Sequence, residues 1–318
     1  MTSEKQQKHF VLVHGACHGA WCWYRLQSLL EAEGHCVTAI DLAASGINPI
    51  KLDELHTFSE YTMPLFEVME SIPPDEKVVL VGHSLGGMNM AFAMEKYPQK
   101  ISVAIFIAAI MPDTVHTPIY FFEQVIEGTT KEDSMDNQFI PIGRPGDHVM
   151  SMLFGPQYTS SKLYQLCPSE DAALAKALMR PISNFWDDLL KKSAFSNKTY
   201  GSVKRAYIMP DEDKALKVEY QRWQIKNSGA AIVKEIKDAD HMAMIFKPHE
   251  LCQLLLDIVW EGKCPRPRPA KDFIVLFPPQ SLLKEGSSEA GRNDAIFHPI
   301  YYLNFILFLF LLLLLFKF

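Results

Sequence analysis

Short apolar runs alternate with longer helical patterns over residues 9–96, and this alternation restricts the fold more than any other feature of the chain. The runs are nearly all apolar, which is typical of strands in a sheet that is covered on both faces. The predicted strands are residues 9–13, 36–40, 78–81 and 103–107. The predicted helices are residues 23–32, 58–70 and 85–96. Together they predict an α/β fold with a mostly parallel sheet flanked by helices.

The alternation stops over residues 112–202, where the chain is rich in Met, Phe, Tyr and Pro and carries several short helical patterns. It then resumes. The later predicted elements are strand 205–209, helix 218–227, strand 231–236 and helix 249–260. We therefore predict one domain over residues 1–262, with a helical cap inserted at about residues 112–202, in a chain whose 318 residues are enough for one large core.

The pentapeptide Gly82-His83-Ser84-Leu85-Gly86 follows the predicted strand 78–81 directly and precedes a helical pattern directly. In this G-x-S-x-G context the serine lies on a tight turn between strand and helix, where its hydroxyl faces the cleft above the sheet. The following helix directs its positive end toward a developing oxyanion. The motif therefore predicts the α/β-hydrolase fold with Ser84 as nucleophile.

A nucleophilic serine needs a base and an acid, and in this fold they follow the serine in the order Asp or Glu, then His. The loop after strand 205–209 offers Asp211 and Asp213, and position alone does not separate these two carboxylates. His241 lies in the loop before the last helix, whereas His249 lies at the start of that helix. His241 is therefore the better candidate for the base.

The loop after the first strand reads His14-Gly15-Ala16-Cys17-His18-Gly19, and its small residues allow close approach to a substrate carbonyl. In this fold the oxyanion is bound by the N–H after the nucleophile and by one N–H of such a loop. These donors are expected from Leu85 and Ala16. Phosphate binding is the alternative for a glycine-containing loop, but the spacing of a dinucleotide-binding motif is absent here.

Four stretches of the chain together resemble the plant methylesterase family, which also includes hydroxynitrile lyases. They are residues 10–21, residues 41–46, residues 82–87 and residues 240–244, and the resemblance extends over residues 9–260. It implies that Ser84, Asp213 and His241 are the catalytic residues, and so favours Asp213 over Asp211. It also implies hydrolysis of methyl esters of small hormone-like acids, such as salicylate, jasmonate or indole-acetate, or of alkaloid acids, without metal or organic cofactor.

Two residues depart from the lyases of this family, which carry threonine at the position of Gly15 and lysine at the position of Met242. Without the lysine, no charge is available to stabilise departing cyanide. Both residues are candidates for contact with substrate, Met242 as a polarizable apolar wall. A hormone receptor built on a hydrolase scaffold is the remaining alternative, but an intact Ser84, Asp213 and His241 favours the esterase.

Composition restricts the partners of the chain. The net charge is −6 and no cluster of Lys and Arg is present, so nucleic acid is not an expected partner. The cysteines show no zinc-site spacing, which predicts no metal. The polar residues 1–8 precede an apolar run too short for a signal peptide, which predicts a cytoplasmic protein. Whether the protein forms a homodimer is left open.

The composition changes abruptly beyond residue 262. Residues 263–299 are rich in Pro, Gly, Ser and charged residues and are predicted to be a linker. Residues 300–318 form an apolar tail in which the run 300–316 is interrupted only by Asn304. This run lies at the short end of the roughly 17 to 25 residues that span a bilayer. Membrane contact through this tail and an extension without function are both open.

Overall fold

The computed structural model describes residues 7–142 and 149–261. Its central sheet has six parallel strands in the order β2-β1-β3-β4-β8-β9, and a smaller antiparallel sheet has the order β5-β6-β7. The strands are β1 (His9–Val13), β2 (Cys36–Ile40), β3 (Val78–His83), β4 (Ile101–Ile107), β5 (Gln138–Pro141), β6 (Met150–Leu153), β7 (Ile182–Ser183), β8 (Arg205–Pro210) and β9 (Ile232–Ile236). All six predicted strands of the central sheet are present.

Helices connect the strands of the central sheet. The α-helices are α1 (Tyr24–Ala32), α2 (Phe58–Tyr61), α3 (Met63–Ser71), α4 (Gly86–Lys96), α5 (Pro118–Glu127), α6 (Lys131–Ser134), α7 (Pro156–Tyr158), α8 (Ser169–Leu178), α9 (Trp186–Leu189), α10 (Val218–Ser228), α11 (Ala243–Phe246) and α12 (Pro248–Trp260). Shorter 3-10 and π turns lie at Ala20–Trp23, Leu52–Glu54, Pro98–Lys100, Thr159–Leu163 and Tyr200–Ser202.

The central sheet separates two hydrophobic cores. Alternate residues of β1 contribute to opposite cores, Val11 and Val13 to one and Phe10 and Leu12 to the other, because successive side chains of a strand point to opposite faces. All four side chains are fully buried. This burial on both faces explains why the strands read as continuous apolar runs in the sequence.

The predicted helix 58–70 is two helices in the structure, α2 and α3, which meet at Thr62. Pro64 causes the break, since a proline inside one continuous helix would clash with the carbonyl group four residues earlier. It is instead accommodated in the first turn of α3. The prediction of a single helix here was wrong.

The segment 112–202 is not only helical. It contains α5 to α9, as expected, but also the antiparallel sheet β5-β6-β7, which the sequence did not predict. These strands are two to four residues long, too short for a period-2 pattern to stand out. The description of the cap as helical is corrected to mixed α and β, while its exact limits and the domain boundary at residue 262 stay predictions.

Within residues 7–142 and 149–261, no helix has the length and apolar character needed to cross a membrane. The predicted linker 263–299 and the tail 300–318 lie outside the described residues. Membrane contact through residues 300–316 therefore stays a prediction from the sequence.

Candidate active site

Ser84 lies between the end of β3 and the start of α4, on the turn that the pentapeptide predicts. Its φ angle is 54°, in the left-handed region that non-glycine residues rarely occupy. Such strain costs on the order of 1–3 kcal/mol and is found at nucleophile turns of this fold. At Gly86 an added Cβ would lie 2.6 Å from the carbonyl oxygens of Val13 and His14, so only glycine permits this close approach of α4 to β1.

Asp213 and His241 are in direct contact. Nδ1 of His241 lies 2.8 Å from Oδ2 of Asp213, and the two side chains are 3% and 0% exposed. The other carboxylate oxygen accepts the backbone N–H groups of Ala215 and Leu216, both at 2.9 Å. The side-chain amide of Gln221 donates to Oδ2 at 2.8 Å. A carboxylate with this many donors is held in one orientation, and it holds the ring of His241 in turn.

Asp211 occupies a different environment from Asp213, although it lies on the same loop. Its carboxylate faces Lys237 at 3.3 Å, and the lysine is 64% exposed. The backbone N–H of Asp211 donates to Ile236 of β9. The structure therefore pairs His241 with the carboxylate that the resemblance indicates and leaves the neighbouring carboxylate in a surface ion pair.

His83 connects the nucleophile turn to the loop that carries His241. Its Nε2–H donates to the backbone carbonyl of His241 at 2.9 Å, and the two ring centroids are 4.4 Å apart. Among the described residues, no hydrogen bond joins the Ser84 hydroxyl to the His241 ring. Contacts of this kind often tighten only when substrate is bound. The structure places the loop of the base beside the nucleophile turn, through the contact of His83, without closing this bond.

The backbone N–H groups of Ala16 and Leu85 meet no acceptor within residues 7–142 and 149–261. In each of these two peptide groups, the carbonyl oxygen of the preceding residue accepts hydrogen bonds. Gly15 O accepts from Nδ1 of His14 at 2.8 Å, and Ser84 O accepts backbone N–H groups at 3.0 and 3.1 Å. Because a trans peptide directs its C=O and N–H in opposite directions, these bonds fix where the two N–H groups point. Both can bind an oxyanion.

The proton position on His14 follows from its second contact. The backbone N–H of Leu42 donates to Nε2 of His14 at 3.1 Å, so the ring proton must lie on Nδ1. From there it is donated to the carbonyl oxygen of Gly15. Burial lowers the pKa of His14 from 6.5 to about 4, which keeps the ring neutral near pH 7. His14 therefore orients the peptide group of Ala16.

The two substrate-contact candidates differ in their surroundings. A Cβ added at Gly15 would lie 2.8 Å from the Cβ of Ser84, so a larger side chain there would have to displace the nucleophile turn. Met242 is fully buried among the apolar residues of one core, and its N–H donates to Asp240 at 3.1 Å. Contact of either residue with a substrate stays a prediction.

Three functional contacts were not predicted from the sequence: those of His14, His83 and Gln221. Gln221 belongs to the stretch Gln221-Arg222-Trp223-Gln224 and lies, fully buried, on the inner face of α10. A glutamine on the buried face of an amphipathic helix is itself a signal, because buried amides need hydrogen-bond partners. That signal does not reveal the partner, since Asp213 and Gln221 meet only after α10 packs against the sheet.

No group of three or more His, Cys, Asp or Glu side chains within the described parts of the chain is arranged to hold a metal ion. The chemistry proposed below depends on the side chains and backbone groups already described.

Buried histidines should make the fold sensitive to mild acid. Burial lowers the pKa of His14 to about 4 and of His18 to about 3, and it lowers the pKa of His83 well below 6.5. From pH 6.5 to 5.5 the unfolded chain takes up protons at these sites while the folded chain does not. We expect the free energy of unfolding to fall by about 1 kcal/mol for each histidine, about 3 kcal/mol in total.

Urea unfolding at pH 7.5, 6.5 and 5.5 measures this effect as a decreasing midpoint. Burial raises the pKa of Asp240, which acts in the opposite sense at lower pH, so the window is kept above pH 5.5. In the variant His18→Gln the decrease should be smaller by about a third. A midpoint that does not change between pH 7.5 and 5.5 would show that these histidines are not buried as neutral groups.

Comparison with known proteins agrees with this geometry. Residues 8–248 match the family model for the alpha/beta hydrolase fold. The chain is 57% identical to Salicylic acid-binding protein 2 of Nicotiana tabacum over 80% of this chain and 98% of that protein. It is 49% identical to Methylesterase 1 of Arabidopsis thaliana over 81% of this chain and 98% of that protein.

Solved structures show the same relationship. The crystal structure of polyneuridine aldehyde esterase superposes with a TM-score of 0.78 and 57% sequence identity, over 80% of this chain and 99% of that chain. The sequence identity, the turn at Ser84 and the parallel sheet therefore all indicate the same family. The chain belongs to the plant methylesterase family of the α/β-hydrolase fold, a family of serine ester hydrolases.

Proposed function

We propose that this protein hydrolyses methyl esters of small plant carboxylic acids through an acyl-enzyme on Ser84, with His241 as base and Asp213 as the residue that orients the base. The observation that carries the proposal is the buried 2.8 Å contact between Asp213 and His241, whose backbone carbonyl accepts a hydrogen bond from His83, the residue before Ser84. A nucleophilic serine, a base and an acid that orients the base are what acyl transfer requires, and in this fold they follow one another as serine, acid and base, as they do here.

In the first half of the reaction, Oγ of Ser84 attacks the ester carbonyl carbon as His241 takes the hydroxyl proton. The carbonyl oxygen becomes an oxyanion that the N–H groups of Ala16 and Leu85 bind, which stabilises the tetrahedral intermediate. His241 then gives its proton to the methoxy oxygen, the carbon–oxygen bond breaks, and methanol leaves. The acyl group remains on Ser84.

In the second half, a water molecule attacks the acyl carbon while His241 takes one of its protons. The same two N–H groups bind the second oxyanion. The bond from the carbonyl carbon to Oγ then breaks, Ser84 regains its proton from His241, and the carboxylic acid leaves. Throughout the cycle the contacts of Asp213 hold the imidazole in position, and its carboxylate stabilises the protonated form of the ring.

The relatives support the substrate class. One is named for binding salicylic acid, one is named a methylesterase, and one is named polyneuridine aldehyde esterase. We propose that this chain likewise accepts a methyl ester of a small aromatic, aliphatic or alkaloid acid.

The direct test is a panel assay with methyl salicylate, methyl jasmonate, methyl indole-acetate and an alkaloid methyl ester. We expect methanol and free acid from at least one of them, and a rate lower by about 10⁴-fold or more from Ser84→Ala. Mandelonitrile is the negative substrate, because no lysine is present at Met242 to stabilise departing cyanide. The proposal would be contradicted if none of the four esters were hydrolysed, or if cyanide were released above the spontaneous rate.

A further inference from the structure

Four consecutive residues of the cap segment, 164–167, contact all three loops of the candidate active site. They lie between the π turn Thr159–Leu163 and α8, and the N–H of Cys167 donates to Tyr164 O at 3.1 Å, which closes a tight turn. Tyr164, Gln165 and the pair Leu166 and Cys167 each contact a different loop. We refer to residues 164–167 as the 164–167 turn.

The first contact is with the oxyanion loop. The hydroxyl of Tyr164 lies 2.9 Å from Nε2 of His18, and both side chains are 2% exposed. Nδ1 of His18 lies 2.8 Å from the carbonyl of Ala16, so the ring proton is on Nδ1 and Tyr164 donates to Nε2. The aromatic rings of Tyr164 and His18 are also stacked, with an interplanar angle of 9°. Tyr164 thus fixes the ring of His18, which in turn donates a hydrogen bond to the carbonyl oxygen of Ala16.

The second contact is with the acid loop. The side-chain amide of Gln165 donates to the backbone carbonyl of Glu212 at 2.6 Å. Glu212 immediately precedes Asp213, so this bond holds the chain one residue from the carboxylate that contacts His241.

The third contact is with the base loop. The carboxylate of Asp240, which is fully buried, accepts the backbone N–H of Leu166 at 3.0 Å and the thiol of Cys167 at 3.4 Å. It also accepts the N–H of Met242 in its own loop at 3.1 Å. Since Asp240 immediately precedes His241, the same turn holds the chain beside the base.

We infer that the 164–167 turn is a positioning element of the active site, which sets the oxyanion, acid and base loops relative to one another. This inference rests on the proposed function, because it assigns a role within that same site. The three contacts lie two residues from Ala16, one residue from Asp213 and one residue from His241. The cap then contributes to the rate of the chemical step as well as to the choice of substrate.

Rate is sensitive to such contacts because displacement of a catalytic group by about 1 Å can cost about 100-fold. Tyr164→Phe removes the hydroxyl that binds His18 and retains the aromatic ring. Gln165→Met removes the donor to Glu212 and retains the length of the side chain. We expect kcat to fall about 10-fold in each variant, and further in the double variant, with KM unchanged within about twofold.

The readouts are the rate of p-nitrophenolate release from p-nitrophenyl acetate, the affinity for a trifluoromethyl ketone that forms a tetrahedral adduct with the serine, and the melting temperature. We expect the affinity for the ketone to fall in parallel with kcat, since both depend on the tetrahedral state. A role limited to packing would change the melting temperature and leave this affinity unchanged.

Matched controls lie elsewhere in the cap. Tyr120→Phe and Gln157→Met make the same chemical changes at residues whose side chains make no hydrogen bond to the three loops among the described residues. Both should keep the activity of the natural chain. If Tyr164→Phe does not fold, Gln165→Met alone decides the matter, because Gln165 is only partly buried.

Ser84→Ala, measured in parallel, separates the two levels of the account. Hydrolysis by Ser84→Ala at the normal rate would overturn the proposed function and this inference with it. If Ser84→Ala is inactive, but both 164–167 variants keep kcat within twofold or change KM alone, only the positioning role is overturned.

Discussion

We expect replacement of Ser84 by alanine to reduce the rate of methyl-ester hydrolysis by about 10⁴-fold or more, down to the level that the remaining site supports. The reason is chemical: without Oγ no acyl-enzyme can form, and His241 has no hydroxyl from which to take a proton. The N–H groups of Ala16 and Leu85 remain, so a small residual rate over water is expected. Initial rates on the best ester of the panel measure the loss.

The control for this variant is Ser102→Ala. The hydroxyl of Ser102 donates to the carbonyl of Val78, at the end of β3 opposite to the Ser84 turn. This change should leave kcat within about twofold of the natural chain. Equal melting temperatures of the two variants would show that the loss at Ser84 is not a loss of fold, and a Ser84→Ala protein with near-normal turnover would refute the assignment of the nucleophile.

We expect replacement of Asp213 by asparagine to reduce kcat by about 10⁴-fold. Oδ1 of Asp213 accepts two backbone N–H groups, so an asparagine there keeps its oxygen on that side and places its NH₂ where Oδ2 was. That NH₂ faces Nδ1 of His241, which must then accept a hydrogen bond and carry its proton on Nε2. A ring protonated on Nε2 cannot take the proton of Ser84.

Asp211→Asn is the matched control, with the same change two residues away. It removes an ion pair with an exposed lysine, Lys237, and such pairs are worth at most about 1 kcal/mol. We expect kcat to change by less than about threefold in this variant. If Asp211→Asn lost as much activity as Asp213→Asn, or if Asp213→Asn kept its activity, Asp213 would not be the catalytic acid.

The central sheet could be predicted from the sequence because its strands are buried on both faces. Such burial favours a run of apolar residues in each strand, as in β3, all six residues of which are buried. The turn at Ser84 could be predicted for a related reason. Its geometry demands small residues at fixed spacing, and an added Cβ at Gly86 would contact β1 directly.

The choice between Asp211 and Asp213 could not be made from position alone. Both carboxylates lie on one loop, and only the fold of that loop turns one toward His241 and the other toward Lys237. The resemblance to a family favoured Asp213, and the geometry gives the physical reason: two backbone N–H groups and Gln221 bind that carboxylate.

Contacts between distant parts of the chain were beyond prediction. The bond from Tyr164 to His18 joins residues 146 positions apart, and no local pattern encodes such a pairing. The same holds for Gln165 with Glu212. Short elements were missed for a different reason, since β7 has only two residues and leaves no periodic signal.

The most direct test of the central claim is covalent labelling of the full chain with a fluorophosphonate, followed by mass spectrometry of its peptides. Attack of an activated serine on the phosphorus atom displaces fluoride and leaves a stable adduct on that serine. We expect one adduct, on Ser84, with loss of esterase activity in proportion to labelling, and slow labelling in Asp213→Asn. Labelling at another residue, or full activity after complete labelling of Ser84, would contradict it.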